Sequence, residues 1–591
     1  MKEFFQKIKE EITLEKIVVR LVMAWLITAL FFFLKSKVTV FNAEFAASVN
    51  VAMFVCFVIL FFVFFCVLGH LRLFSWMEIY GPMLLVTIYG TVTIMKNSDL
   101  TYLVGVTIVL AVTVVYAVNK TKIFAEITKK STVICIYILA ALVYMGIAGS
   151  ITVLRYVTYR SPAFDFGIWA QMFYNMKESF EPVTTIERER LLSHFAVHFS
   201  PIYYIYLPVY FIFSSPVTLQ VLQVITLASG IIPVYLLCRH FGLSKSATAC
   251  FGVIFALFPS LACGCYYDLH ENCFLVPLIL WLFYFAEKEK LRGMIIFSVL
   301  ICLVKEDAPV YVACIGLFYI IGKKQYRNGS VITLLGLGYF CIVTALMSKY
   351  GLGIMSNRYD NFMAAETAGS LMDVIRNFVV NPAYALSECF SSEKMTYLLY
   401  MLLPTGFLSV AFKNSAKLIL LLPMILVNLA SDYVYQHSIF FQYTFGVLAI
   451  LFYLAISNYA EMSDKTRRSM CAIAICASIM LMPLGSLSRT HYYSAYKNEK
   501  EKIEILNQVM ESIPKDASVS ASTFFTPHLA DREELYEYPY LYDKSIITDY
   551  VIIDLRFGSL SDDERSNLES KGYRFSEMQE GLYAIFIQNT K

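Results

Sequence analysis

Apolar segments of about 15–23 residues recur along most of the chain, separated by short polar stretches. Each is long enough, or nearly so, to cross a hydrocarbon core of about 30 Å as a helix. The pattern predicts fifteen spans, near 17–34, 46–68, 75–94, 101–118, 132–153, 217–238, 246–264, 272–286, 293–304, 308–322, 330–348, 395–412, 416–430, 437–457 and 469–488. From about residue 489 the pattern changes. "NEKEKIEILNQVMESIP" has helical periodicity, and "LSDDERSNLESKG" reads as a helix entered at a Ser cap. "ASVSAS", "DYVIIDL", "YRFSEM" and "LYAIFIQN" read as strands. The expected fold is an all-α polytopic membrane protein carrying a small α/β C-terminal domain.

Composition agrees with that reading. Of 591 residues 58% are hydrophobic and only 16% charged, outside the range of soluble domains. The net charge of +3 gives no basis for a nucleic-acid partner. The charged head "MKEFFQKIKEEITLEKIVVR" leads into a span without a small-residue cleavage site, so no cleaved signal peptide is expected. Fourteen cysteines, most of them within apolar runs and none after residue 476, form no disulfide framework.

Basic residues set the expected orientation. Lys2, Lys7, Lys9, Lys16 and Arg20 place the N-terminus in the cytoplasm, together with "NKTKIFAEITKKS", "EKEKLRG", "GKKQYRNG" and "SDKTRRS". Residues 154–198 and the tail from 489 then lie outside. The two ends of the chain agree only if 199–213, "FSPIYYIYLPVYFIF", does not cross, which Pro201, Pro208 and its short length favour. A multi-pass cell-membrane protein with an extracytoplasmic C-terminal domain is expected.

On this map the triplet Lys305, Glu306 and Asp307 falls at the outer end of two arms of about 12–15 residues, too short to cross fully. It should be sunk below the outer surface, in a polar cavity instead of a solvated loop. Other polar groups share that side: Asp165 in "SPAFDFGIWAQMFYNM", His194 and His198 in "LLSHFAVHFSP", Asp268, His270 and Glu271 in "CGCYYDLHENCF", and His437 in "SDYVYQHSIFFQY". Each has a plainer explanation. Ser161 and Pro162 can start a helix whose positive end suits Asp165. His194 and His198 have a two-ligand spacing for a divalent metal, yet suit hydrogen-bonded loop residues as well. "FTPHLADR" in the tail reads as structural. Convergence of the clusters on one face points to a water-filled outer cavity.

"FDFGIWAQMFYN", "SHFAVHFSPIYYIYLPVYFIF", "YDLHENCFLVPLIL", "LVKEDAPVYV" and "VSASTFFTPHLADR" resemble, in order, the DUF2079 family of bacterial membrane proteins, from about residue 132 to the C-terminus. The first four spans, 1–131, form an extension outside the resemblance. The core is 132–488 with outer loops 154–216 and 349–394, and the small domain is 489–591. The family is similar in layout to GT-C glycosyltransferases, which use lipid-phosphate-linked sugars. The resemblance implies that Asp165 fills their acidic loop position, "SPIYYIYLP" a surface helix and "CRHFGLSK" the basic inner loop. The acidic pair often seen there is absent, since Phe166 follows Asp165.

These implications give an expected activity: transfer of a sugar from a polyprenyl-phosphate donor in the membrane lipid to an unidentified acceptor. Asp165 would serve as general base and Lys305 would stabilise the departing phosphate, with help from Arg155 or Arg160. Glu306, Asp307, Asp268 and Glu271 would orient Lys305 or hold sugar hydroxyls. His194, His198 and His270 would bind donor phosphate or a divalent metal, and His437 joins the substrate-binding set. The alternative is a transporter or flippase of a lipid-linked saccharide.

Overall fold

The computed structural model describes residues 13–36, 43–70, 74, 76–96, 99–121, 127–353, 356–363 and 371–589. The head before residue 13 and part of the 119–131 loop, both used for the expected orientation, lie outside the described residues.

Among the described residues ten helices are long and apolar enough to cross a membrane, from Leu14–Lys35 to Asp464–Asn498. Side-chain caps fix several starts: Thr13 accepts from the Lys16 N–H, and Asp99 from the Thr101 N–H. The long Lys130–Val157 helix leads to the candidate site. The Phe445–Glu461 helix is buried on every side from Phe445 to Tyr459 and forms the axis of the bundle.

Two expected spans came out differently. The span near 395–412 is a helix only over Ser392–Leu402, because Pro404 and a left-handed Gly406 (φ 58°) break it. That glycine lets the chain run directly against the Met470 carbonyl, where a Cβ would lie 2.0 Å away. The stretch 416–430 holds only short irregular turns, Ser415–Leu421 and Met424–Leu429. The arms Leu291–Cys302 and Pro309–Ile321 are regular but short, about 18 and 20 Å at 1.5 Å per residue.

Residues 199–213 form the short turns Pro201–Ile205 and Leu207–Ile212. Six helical residues reach about 9 Å and cannot cross a bilayer.

A two-stranded hairpin, β1 (Val183–Thr184) with β2 (Leu192–Ser193), lies in the loop after the Lys130–Val157 helix. The C-terminal unit contains the helix Lys500–Ser512 and strands β3 (Val519–Ser522), β4 (Leu535–Tyr538), β5 (Tyr550–Asp554), β6 (Tyr573–Gln579) and β7 (Tyr583–Gln588). The sheet order is β4-β3-β5-β7-β6. β3 is parallel to both its neighbours and β7 antiparallel to both of its own. Ser561 caps the helix Asp562–Ser570 by accepting from the Glu564 N–H. β4 is the one strand of this sheet that the sequence pattern missed, as it also missed the short β1 and β2.

The two faces of this sheet differ. Val519, Ala521, Leu535, Ile552 and Ile585 continue the apolar core of the bundle, whereas Val551, Ile553, Leu568 and Phe586 form a separate small core. Polar contacts complete the docking. Thr185 exchanges hydrogen bonds with Leu535, and Arg556 donates to the Tyr159 carbonyl at 2.8 Å. His528 stacks on both Tyr156 and Tyr159. "FTPHLADR" is therefore a docking element, with Arg532 buried on the carbonyls of Leu529, Pro514 and Ala517.

Candidate active site

A cavity of about 380 Å³ lies where the loop after the Lys130–Val157 helix meets the Lys305–Asp307 turn. Asp165, His198, His270, Glu271 and Lys305 all line it.

Asp165 reaches it from an unusual turn. Ser161 does not cap a helix; its hydroxyl donates to Asp268 Oδ1 at 2.9 Å. The chain runs through a wide turn at Ala163–Gly167 before the Ile168–Ser179 helix begins. Within it Asp165 has φ 72° and ψ −78°, near the centre of a rare and strained γ-turn. The expectation of a plain helix start at Ser161–Pro162 therefore fails, because that hydroxyl is committed elsewhere. The Ala163 N–H donates to Thr523 Oγ1 at 3.1 Å, so the C-terminal unit holds the turn.

The cavity's ions are paired. His270 Nε2 lies 3.5 Å from Asp165 Oδ2. Burial pushes the Asp165 carboxyl up, but the His270 imidazolium and the Tyr267 hydroxyl outweigh it and hold that carboxyl below its ordinary value. Burial likewise pushes His270 down, and Asp165 with Glu271 brings it above its ordinary value. Each group thereby favours the charged form of the other.

Lys305 Nζ donates to Glu271 Oε1 at 2.7 Å, and the Tyr203 hydroxyl to Oε2 at 2.7 Å. The two charged side chains are 4% and 1% exposed, so the contact is dry. Burial disfavours both charges, yet their mutual attraction holds Glu271 well below and Lys305 well above the ordinary values. His198 Nδ1 lies 2.8 Å from Glu306 Oε1, whose partner oxygen accepts from the Phe199 N–H at 3.1 Å. Burial opposes that charge, but His198 and Lys305 bring Glu306 down to about 2. Burial and the adjacent Glu306 push Asp307 up. The Ile202 N–H donates to the Leu303 carbonyl, which pins the 199–213 segment to this turn.

Other expected residues stand outside the cavity wall. Asp268 is buried behind it, with Arg155 Nη1 at 2.9 Å and the Gln220 amide donating to Oδ1. It brackets the loop that carries Asp165 and meets no cavity space. Arg155 also spans to the Tyr266 carbonyl at 2.8 Å. Arg160 pairs with Glu499 in the C-terminal region. His194 is fully buried with Nδ1 2.9 Å from Glu187, and His437 lies 3.6 Å from Glu393. Asp307 is beside the wall without lining it.

Because His194 and His198 turn to different carboxylates, they do not share a ligand face. Among the described residues no group of three or more His, Cys, Asp or Glu side chains is gathered to hold a metal ion.

Several lining residues were not anticipated. Arg358 sits over the rings of Tyr433 and Tyr443, 5.0 and 5.1 Å from their centroids. Trp169 lines the wall with a buried indole N–H that has no partner among the described residues. Arg358 belongs to the loop 349–394, where nothing in the sequence marked it. The tyrosines flank His437 in "SDYVYQHSIFFQY", and they line the cavity where His437 does not.

Fold and site together define a polytopic membrane protein with a buried, charge-paired polar cavity at one end of its helix bundle. The chain belongs to the family described as "Predicted membrane protein (DUF2079)", whose model matches residues 155–589. No curated protein matches the sequence. Among solved structures it is similar to ArnT from Cupriavidus metallidurans bound to undecaprenyl phosphate. That similarity has 10% identity, covers 78% of this chain and 98% of the other, and has a TM-score of 0.48. Arabinofuranosyltransferase AftD from Mycobacteria is similar at 10% identity over 76% of this chain and 40% of its own, with a TM-score of 0.41.

Proposed function

We propose that this protein is a membrane glycosyltransferase that moves a sugar from a polyprenyl-phosphate donor to an acceptor on the outer membrane face, with its N-terminus cytoplasmic. The observation that carries the reading is one cavity lined by a carboxylate on a strained turn, Asp165, and by two cations, the buried Lys305 and the half-buried Arg358. The motif layout around Asp165 supplies the reaction class, and the cavity supplies the chemical groups. Asp165 accepts the proton of the acceptor hydroxyl as that oxygen attacks the anomeric carbon. The bond from the anomeric carbon to the lipid phosphate breaks, and the phosphate leaves with the electron pair. Lys305 and Arg358 stabilise the charge that develops on it, most strongly because the site is dry. His270 and the Tyr267 hydroxyl hold the Asp165 carboxyl in place towards the cavity. The Trp169 N–H offers a hydrogen bond to a sugar oxygen.

A translocation path for a whole lipid-linked saccharide would need polar groups continuing through the bundle. Beneath the cavity Phe452 of the axis helix packs instead on Phe255 and Phe258, which favours transfer over transport. The test is transfer of radiolabelled sugar from a polyprenyl phosphate by the purified protein, supplied with a cell-envelope extract as acceptor. Loss of transfer in Asp165→Asn supports the reading. Full transfer by that variant removes Asp165 from the chemistry.

A further inference from the structure

At the opposite end of the bundle a second feature has no part in the cavity. Between the Lys130–Val157 helix and the Pro216–His240 span runs an apolar groove of about 530 Å³, walled by Ile134, Ile138, Met145, Ile225, Ile232 and Tyr235. From Ile134 to Met145 it extends about 16 Å at 1.5 Å per residue. That is close to half of a hydrocarbon core of about 30 Å, the depth of one leaflet. Tyr235 also lines a small pocket at the groove's end, walled by Lys130, Arg239, Lys245, Val133 and Thr248.

Among the described residues three cations and no acid therefore line the pocket where the groove reaches the membrane surface. Lys245 Nζ donates to the Thr128 carbonyl, which holds it in place. Among the described residues the Lys130 and Arg239 charges have no ion-pair partner. Next to the pocket, Arg467 and Arg468 add positive charge, of which Arg467 is paired with Asp464. Surface lysines and arginines are ordinary at a membrane boundary. A leaflet-deep apolar groove ending on three of them, with a tyrosine at the junction, is a shape that fits one kind of molecule.

We propose that this groove is a binding site for an anionic phospholipid, on the membrane face opposite the cavity. One acyl chain lies along the groove and the phosphodiester headgroup sits among Lys130, Arg239 and Lys245. The site is independent of the proposed transfer reaction and stands or falls without it.

Native mass spectrometry of the full chain, released from nanodiscs of equal phosphatidylcholine and phosphatidylglycerol, tests the proposal. The wild type should retain phosphatidylglycerol in preference. The triple variant Lys130→Gln/Arg239→Gln/Lys245→Gln should lose that preference by about 10²-fold, about fivefold for each cation removed. A control that removes as many charges from another loop, Lys288→Gln/Lys290→Gln/Arg292→Gln, should keep it. Ala141→Trp fills the groove and leaves every cation, and it too should lose the bound lipid. Equal loss in the triple variant and the control would overturn the site in favour of bulk surface charge. Lipid retained by Ala141→Trp would overturn the groove, and preferential retention of added undecaprenyl phosphate would overturn the choice of occupant.

Discussion

Replacing Lys305 separates a catalytic cation from a structural one. Lys305 and Glu271 meet at 2.7 Å, where unit charges attract by about 6 kcal/mol at an effective dielectric of about 20. Much of that offsets the cost of drying both ions, so the net value of the pair is small. Removing one partner is different. In Lys305→Met the Glu271 carboxylate keeps the Tyr203 hydroxyl and the more distant His270 and His198, and removing one partner of a buried pair costs about 3–5 kcal/mol. The single variant should lose thermal stability in detergent, and its lost activity would then prove nothing. Lys305→Met/Glu271→Gln removes both charges while the Gln amide still accepts from Tyr203, so stability should return to within about 1 kcal/mol of the wild type. If Lys305 stabilises the departing phosphate, the double variant should still transfer sugar about 10²–10³-fold more slowly. Scanning fluorimetry reads the first quantity and the radiolabel assay the second. A stable double variant with turnover within a few-fold of wild type would refute the catalytic role and leave a structural ion pair.

Further outcomes follow from the same cavity. Asp165→Asn keeps a side chain that tolerates positive φ but gives up the charge facing His270, so it should melt somewhat below the wild type and transfer about 10²-fold or more slowly; a melting change with normal transfer would make the carboxylate structural. Arg358→Ala should raise the KM for the lipid-phosphate donor about tenfold or more, since a charge-assisted contact is worth about 1.5–3 kcal/mol, and an unchanged KM would remove it from the donor site. For pH, the lowered Asp165 gives stability that is present above its ordinary value of 3.8 and lost as pH falls through the lower folded value. The raised His270 gives stability present below 6.5 and lost as pH rises through its raised value. The pair should thus stabilise fully between these limits, and in His270→Gln the alkaline decline of the unfolding midpoint should flatten. Burial, opposed by the Tyr156 carbonyl, sets the neutral His528 at about 3, so its stacking loses stability as pH falls from 6.5 towards 3. His528→Phe should lessen that acid-side decline, and an unchanged profile would show that the docking is indifferent to the ring's charge.

What the sequence determined by itself was local in origin. Runs of apolar residues specify helices in a bilayer because every backbone polar group must be satisfied within its own segment. The Ser561 cap, four of the five strands of the C-terminal sheet and the short 199–213 segment were legible for the same reason. Charges in apolar surroundings announced themselves by their cost, so Asp165, His270, Glu271 and Lys305 could be named from one dimension. Partner choice could not. Ser161 turned from capping to Asp268, His194 to Glu187 and His198 to Glu306, because each pairing joins residues whose adjacency only the packed bundle creates. The same holds for Arg358 between two tyrosines about 75–85 residues away, and for the Thr523 hydroxyl that holds the Asp165 turn from about 360 residues downstream. Periodicity decides which segments are buried, since burial is a property of each segment's own surface. Which buried charges neutralise one another is decided by distances of about 3 Å, and those exist only once the chain has folded.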